Sequence, residues 1–260
     1  MLDSLQSSDV ARNAPGSITV RHRRRLHLLA GFFVLATLLA GSARAQDPTG
    51  TPAASQATEI LRATSKKLAE TPTLHFTIKI DGDAYIDDQD TIRLIEADGD
   101  VVRPDKVVAS FKVNVLNTVN ATISMITISD QHWSTDLISG KWISAPAEFS
   151  YDPGILFDNT RGIGPVMDQV TDATLVGEED LDGKNVYHIH ADVPQSIIGD
   201  LTSNTMEGDP ISVDLWIDST TNDLLRVQLA EPKDNGKDNP ATWTLDLSKH
   251  GESIDINPPS

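Results

Sequence analysis

The chain has 260 residues and carries 21 Lys and Arg against 38 Asp and Glu, a formal net charge of −17 at pH 7. A surface this acidic repels phosphate backbones, so nucleic acid is not expected as a partner. The sequence contains no Cys, which excludes disulfides, thiolate metal sites and cysteine nucleophiles.

Residues 1–45 have the layout of a secretory signal peptide. Arg-His-Arg-Arg-Arg at 21–25 precedes an apolar run at 26–39, and Ala-Arg-Ala at 43–45 matches an A-x-A cleavage site. We therefore predict export and cleavage near Ala45. Because the removed segment holds six Arg and two Asp, the mature chain would have a net charge of −21. A signal that is not cleaved would instead tether the protein to the membrane.

One residue departs from a lipid-attachment site. Leu-Ala-Gly-Ser at 39–42 matches a bacterial lipoprotein box except at its last position, where Ser42 stands in place of the lipidated Cys. A serine hydroxyl cannot form the thioether that carries the lipid. We therefore expect a protein without a lipid anchor, located in the cell envelope or outside the cell.

The mature chain is expected to begin with a linker and a helix. Residues 46–55 are rich in Pro, Thr, Gly and Ala, which indicates a linker. A helix follows, with Ser55 as its expected cap and with an apolar stripe at helical spacing. The stripe consists of Ala57, Ile60, Leu61, Thr64 and Leu68.

From Leu74 onward the hydrophobic period changes to two, which predicts antiparallel strands that each have one apolar face. The apolar rows cover 74–80, 92–94, 107–115 and 121–125, and short strands are expected near Trp133 and at 141–143. Between Met125 and Ile126 the row switches from odd to even positions. This switch predicts a β-bulge.

The second half combines hairpins with short helices. Asp-Gly at 182–183 predicts a hairpin, and alternating residues predict another over 211–230. Short helices are expected around 152–157, 163–170 and 194–201, and a last strand at 241–247. Together these elements predict one α+β domain at 56–260, a curved antiparallel β half-barrel with short helices covering its concave apolar face.

The sequence offers no convincing catalytic, metal or cofactor site. His188 and His190 share one strand face but have no evident third ligand, so an exposed pair is the preferred interpretation. The acidic turn at 81–90 lacks the residue order of a calcium loop. G-x-S-x-G and H-E-x-x-H are both absent, which makes a hydrolase a remote alternative.

Several segments, in the same order along the chain, resemble the LppX/LprAFG lipoprotein family. They are Asp-Pro-Gly-Ile-Leu-Phe-Asp-Asn-Thr-Arg-Gly at 152–162, the segments 176–183, 186–189 and 193–194, Leu-Trp-Ile-Asp-Ser-Thr-Thr-Asn-Asp-Leu-Leu-Arg-Val at 215–227, Ala-Thr-Trp-Thr-Leu-Asp-Leu-Ser at 241–248, and Asn-Pro-Pro at 257–259. The resemblance covers essentially all of 56–260.

The resemblance implies a fold like that of the LolA/LolB lipoprotein carriers, in which a half-barrel is closed by helices over an apolar cavity. It also implies a carrier of acylated lipids or glycolipids across the cell envelope, with transient membrane contact. Twelve apolar side chains are the candidates for the cavity lining: Phe76, Ile78, Phe111, Val113, Val115, Ile123, Met125, Ile155, Leu156, Met167, Leu215 and Ile217.

Two alternatives remain open at this stage. By periodicity alone, the apolar rows could meet the helices directly in an ordinary packed core. The same fold could also serve as an interaction or sensory module that recognises an envelope protein without transporting lipid. A carrier needs a dry cavity, because a sixteen-carbon chain in water costs on the order of 12 kcal/mol. An unfilled space under the helices would therefore favour the carrier.

Overall fold

The computed structural model describes residues 53–87, 89–145 and 153–260. The predicted signal peptide, Ser42 and most of the predicted linker lie outside the described residues. In the first half, the structure contains helix α1 (Ala53–Glu70) and strands β1 (Thr73–Asp81), β2 (Ile92–Val102), β3 (Lys106–Val115), β4 (Val119–Ile128), β5 (Gln131–Thr135) and β6 (Trp142–Ser144).

The second half begins with a short 3₁₀ turn (Pro153–Phe157) and helix α2 (Ile163–Gln169). These are followed by β7 (Thr174–Leu181), β8 (Lys184–Val193), helix α3 (Gln195–Ile198), β9 (Ile211–Asp218), β10 (Leu224–Ala230) and β11 (Thr242–Ser248).

The strands of the described residues form a single curved antiparallel sheet, in the order β6-β5-β4-β3-β2-β1-β11-β10-β9-β8-β7. Two meanders, β1–β6 and β7–β11, meet where β1 pairs with β11 in a register that sets Ile78 opposite Leu245. This architecture confirms the predicted fold class, an open antiparallel sheet with a few short helices.

The central strands fold as their alternation predicts, with alternate side chains buried, whereas β6 and β7 at the two edges of the sheet have no buried residue. β9 alternates between buried and half-buried residues along its whole length. The predicted Asp-Gly hairpin forms between β7 and β8, with positive φ angles at Asp182 (54°) and Gly183 (83°). Positive φ at both central residues is what the favoured two-residue hairpin turn requires.

The predicted bulge between Met125 and Ile126 is wrong. The register of β3 with β4 runs without interruption through the pairs Ala109–Met125 and Val108–Ile126. Ile126 is buried, and it lies opposite Trp133 of β5, a large aromatic partner on the other face of the sheet. Irregular registers occur instead between Leu94 and Glu96 in β2, Leu175 and Gly177 in β7, and Leu224 and Arg226 in β10.

Helix α1 carries the predicted apolar stripe, and all five of its members are buried. The helix begins earlier than expected: it includes Ala53 and Ala54, so Ser55 lies inside its first turn and is not its cap. Residues 53–55 are therefore helical, although the sequence pattern assigns them to the linker. Among the described residues, no helix has the length and hydropathy needed to cross a membrane.

Candidate functional site

An apolar cavity lies between the sheet and a group of short helical segments, here called the cover. The cover consists of the 3₁₀ turn, α2, and α3 with the turn that follows it. The cavity measures about 70 Å³, and the unfilled space between its walls, counted out to the open mouth, is about 700 Å³. Its wall contains Ile78, Leu156, Ile163, Val166, Met167, Val170, Val193, Ile198, Leu201, Thr202, Val213, Leu215, Val227, Leu229, Trp243 and Leu245.

The wall is almost entirely hydrocarbon. Thr202 is its one hydroxyl residue, and the hydroxyl already donates a hydrogen bond to the carbonyl oxygen of Ile198 at 3.2 Å. Trp243 adds the only other side-chain N–H or O–H group of the wall. Such a lining accommodates apolar groups and offers nothing to stabilise an ion.

Four of the twelve predicted lining residues belong to the cavity wall: Ile78, Leu156, Met167 and Leu215. The other eight lie elsewhere in the molecule. Four of them are buried on β3 and β4: Phe111, Val113, Ile123 and Met125. Ile217 is fully buried near the end of β9, Val115 packs at the margin of the core, and Ile155 is half-buried in the 3₁₀ turn. The eighth residue is Phe76.

Phe76 shows why an apolar row can end in a packed core. Its ring lies 5.8 Å from that of Phe157, which the 3₁₀ turn brings down onto the sheet. Opposite Phe76 on β2 is Gly99, where a Cβ atom would come within 2.7 Å of the Phe76 ring. The aromatic side chain thus fills the space that the glycine leaves, and it is fully buried.

The wall residues absent from the predicted set come mainly from the C-terminal meander and the cover. The helical stripe at Ile163, Val166 and Val170 and the alternating rows of β9 and β10 are visible in the sequence. Their common location depends on how β1 joins β11, because this pairing brings Ile78 beside Leu245 and Trp243. No local sequence signal specifies that pairing.

Few polar contacts fasten the cover to α1. The hydroxyl of Ser65 donates a hydrogen bond to Asp168 Oδ2 of α2 at 2.9 Å. A more polar cleft of about 420 Å³ is lined by residues of α1 and α2, among them Arg62, Lys66 and Asp168. Helix α2 therefore contributes residues to both the cavity and this cleft.

Arg103 provides the strongest polar connection. Its guanidinium donates hydrogen bonds to the carbonyl oxygens of Thr71 (3.0 Å), Leu68 (3.1 Å) and Phe157, and to Asn159 Oδ1 (3.0 Å). We call this group the Arg103 clamp. Burial lowers the pKa of Arg103, while the carboxylate of Asp158 acts in the opposite direction. The clamp joins the C-terminal end of α1, where carbonyl groups lack helical partners, to the 3₁₀ turn of the cover.

The histidine pair on β8 lies on the other face of the sheet. His188 and His190 both bond to the same oxygen of Asp214, at 2.7 and 3.1 Å. His188 also stacks on Trp216, with 4.7 Å between ring centroids, and its side chain is largely covered, whereas that of His190 is 41% exposed. The prediction of an exposed pair therefore holds for His190 and is wrong for His188. In the described part of the chain, no group of three or more His, Asp and Glu has the arrangement of a metal site.

Comparison with known proteins identifies the family. The model of the LppX_LprAFG lipoprotein family matches residues 56–256. The chain belongs to this family. The segmental resemblance seen in the sequence is thus confirmed over nearly the whole domain.

Two curated members of the LppX_LprAFG family illustrate the relationship. The lipoarabinomannan carrier protein LprG of Mycobacterium tuberculosis is 24% identical over 242 residues, covering 92% of this chain and 97% of LprG. The putative diacylated glycolipid transporter LprF of the same species is 25% identical over 203 residues, covering 74% of this chain and 75% of LprF.

Two crystal structures of LppX_LprAFG family proteins share the fold. LprF from Mycobacterium bovis gives a TM-score of 0.63 at 23% identity, covering 81% of this chain and all of that one. The lipoprotein LppX of Mycobacterium tuberculosis gives a TM-score of 0.54 at 16% identity, covering 78% of this chain and 99% of that one.

Proposed function

We propose that this protein is an exported, non-catalytic carrier that holds the acyl chains of a lipid or glycolipid in the cavity beneath the cover and moves them across the cell envelope. The observation that carries the proposal is the hydrocarbon wall, which joins both meanders of the sheet to the cover. The names of the relatives LprG and LprF, a lipoarabinomannan carrier and a putative glycolipid transporter, support the same class of cargo.

The cavity must widen before it can hold such a cargo. A dry apolar cavity of roughly 150 Å³ is large enough for benzene, whereas this one measures about 70 Å³. Each methylene group buried on entry gains about 0.8 kcal/mol, which can replace the contacts that the cover gives up when it moves outward.

The cover is suited to such movement. The 3₁₀ turn, α2 and α3 contain five, seven and four residues, and helices this short are not stable without tertiary packing. Their position therefore depends on contacts with the sheet, and acyl chains can supply equivalent contacts. We accordingly propose the cavity wall, including Ile78, Leu156, Met167 and Leu215, as the site of binding.

Two measurements test the proposal. The first is mass spectrometry of an organic extract of the protein purified from its native envelope. We expect a stoichiometric lipid with two or three acyl chains. A lipid-free protein that is purified together with a polypeptide partner would contradict the carrier and favour an interaction module.

The second measurement compares two variants. Val213→Phe introduces a ring at a buried wall position, and Val176→Phe makes the same change at a residue of β7 that is 59% exposed. A ring that displaces two methylene groups should reduce lipid uptake about tenfold, and Val176→Phe should leave uptake unchanged. Equal uptake by both variants would show that lipid does not enter this cavity.

A further inference from the structure

Trp243 is the one side chain of the cavity wall whose polar group lacks a partner. Its side chain is 8% exposed, and its indole Nε1 has no hydrogen-bond acceptor among the described residues. A buried N–H group without an acceptor costs free energy, so almost all such groups in folded proteins are paired. The indole N–H of Trp243 therefore requires an acceptor from another source.

The sheet around Trp243 cannot provide it. Its direct neighbours on the adjoining strands are Ile80 of β1 and Leu229 of β10. Along its own chain, the neighbours two positions away are Ala241, just before β11, and Leu245 within it, and both are buried. All four side chains are aliphatic, and the backbone groups of these strands are engaged in the sheet ladder.

A water molecule bound in the cavity would not be well held either. A buried water needs two to four polar partners, and apart from Trp243 the wall offers only Thr202. The proton of that hydroxyl is already donated to the carbonyl oxygens of Ile198 and Gly199, so its oxygen can only accept, and a water would have at most the minimum of two partners. The described residues therefore supply no acceptor. Because Nε1 has less than 1 Å² of accessible surface, an acceptor on a cavity occupant can reach it only after the cavity has widened.

We propose that the indole N–H of Trp243 donates a hydrogen bond to an ester carbonyl oxygen of the bound lipid, so that the cavity selects ester-linked acyl chains over ether-linked alkyl chains. This inference rests on the proposed carrier function and specifies its cargo. An ester carbonyl is a strong acceptor located at the root of each acyl chain. Trp243 therefore marks the position in the cavity where the chain joins the rest of the lipid.

The two linkages differ in the cost of entering the cavity. A carbonyl group loses its hydration when the lipid leaves the membrane surface, and it recovers that cost only where a donor receives it. An ether oxygen is less strongly hydrated and is a weaker acceptor. With Trp243 present the ester should be preferred, and without the indole N–H the preference should disappear or reverse.

The test is an internal competition. The wild-type protein is incubated with vesicles that contain equal amounts of dihexadecanoyl and dihexadecyl glycerophosphocholine, which share the headgroup and the chain length. The protein is then re-isolated and its bound lipids are quantified by mass spectrometry. We expect a bound ratio of ester to ether of roughly three- to tenfold, the net contribution of one hydrogen bond. For Trp243→Phe we expect a ratio of one or less.

The control is a second tryptophan replacement outside the cavity. Trp216 lies on the other face of the sheet, and its Nε1 donates a hydrogen bond to Glu179. Trp216→Phe should therefore keep the wild-type ratio. Because both lipids compete for the same protein sample, the ratio does not depend on the fraction of a variant that is folded.

The possible failures are distinguishable. Uptake of both lipids by the wild type at a ratio of one, or an unchanged ratio in Trp243→Phe, would overturn the role of Trp243 and leave the carrier function intact. If the wild type takes up neither lipid, the proposed function is overturned and this inference with it.

Discussion

The Arg103 clamp should contribute a large part of the stability of the cover. Replacing Arg103 with Met keeps an unbranched apolar side chain of similar length and removes the donors to Leu68, Thr71, Phe157 and Asn159. A hydrogen bond to a charged group contributes about 1.5–3 kcal/mol net. The bond to Asn159 lies in an exposed setting, Arg103 is only half-buried, and bonds made by one side chain do not add independently. We therefore expect Arg103→Met to lower the free energy of unfolding by about 3–5 kcal/mol, less than the full sum for the other three bonds.

Arg103→Lys distinguishes the contribution of the positive charge to stability from that of the forked donor geometry. An ammonium group keeps the positive charge but cannot match the planar, forked donors of a guanidinium. It should reach only some of the acceptors, with a loss of about 2 kcal/mol. An order of stability with wild type highest, Lys intermediate and Met lowest would identify the forked hydrogen bonding as the main contribution.

Urea denaturation followed by circular dichroism provides the assay, since its midpoint and slope yield the free energy of unfolding. Lys112→Met is the matched control, because Lys112 forms an ion pair with Glu96 in which its side chain is 60% exposed. Exposed pairs of this kind contribute about 0–1 kcal/mol. If Arg103→Met were no more destabilising than Lys112→Met, the clamp would not hold the cover.

Hydrogen exchange locates the effect within the molecule. Segments with few buried contacts open more readily than the global unfolding reaction. In Arg103→Met, amides of residues 154–162 should therefore exchange faster through local opening. Amides of β9 and β10 should still exchange only through global unfolding, with the protection set by the lower free energy of unfolding of the variant. Uniform acceleration across the whole chain would indicate that Arg103 stabilises the fold without a specific role in the cover.

Three further predictions concern other parts of the chain. The side chain of Glu231 is fully buried and accepts hydrogen bonds from four donors, among them Lys237 at 2.8 Å. Glu231→Ala should therefore lower the free energy of unfolding, measured by urea denaturation, by roughly 3–5 kcal/mol. A decrease below about 1 kcal/mol would contradict this. Burial lowers the pKa of His250 below its usual 6.5, so the unfolded chain binds this proton first and the stability of the wild type should fall as the pH drops below 6.5. His250→Gln still offers a donor to the Leu224 carbonyl oxygen and should flatten this decline when denaturation is measured as a function of pH. An unchanged slope would contradict the assignment to His250. Ser42→Cys completes the lipoprotein box and should move the protein to the membrane fraction with incorporation of labelled palmitate, whereas wild type that is already labelled would refute the expected absence of an anchor.

Local sequence signals were sufficient for most individual elements because each of them depends on residues close together in the chain. The Asp-Gly turn imposes positive φ angles that few other residue pairs adopt, and β7 and β8 pair around it. The stripe of α1 repeats at the helical period, and all its members are buried. The false bulge at Ile126 arose because a strand can bury both faces when a neighbour such as Trp133 lies opposite, and the one-dimensional pattern does not contain that neighbour.

Assigning residues to the cavity failed for a different reason. Phe111 on β3 and Leu215 on β9 belong to equally apolar alternating rows, yet only Leu215 reaches the cavity wall. Burial favours any apolar contact in proportion to its area and has no preferred direction. The row itself therefore does not indicate whether a helix, another side chain or an open space will cover it.

The sequence alone determined the antiparallel strands, their hairpins, the amphipathic first helix and the family. It also predicts an export signal, whose residues lie outside the described part of the chain. These properties follow from local periods, turn residues and the order of segments. Only the tertiary structure decided which apolar rows enclose the cavity, because that depends on the position of the cover and on the pairing of β1 with β11. The β1–β11 pairs join residues more than 150 positions apart. The same long-range assembly surrounds Trp243 with aliphatic side chains, and it thereby converts one tryptophan among four into the candidate for recognising the cargo.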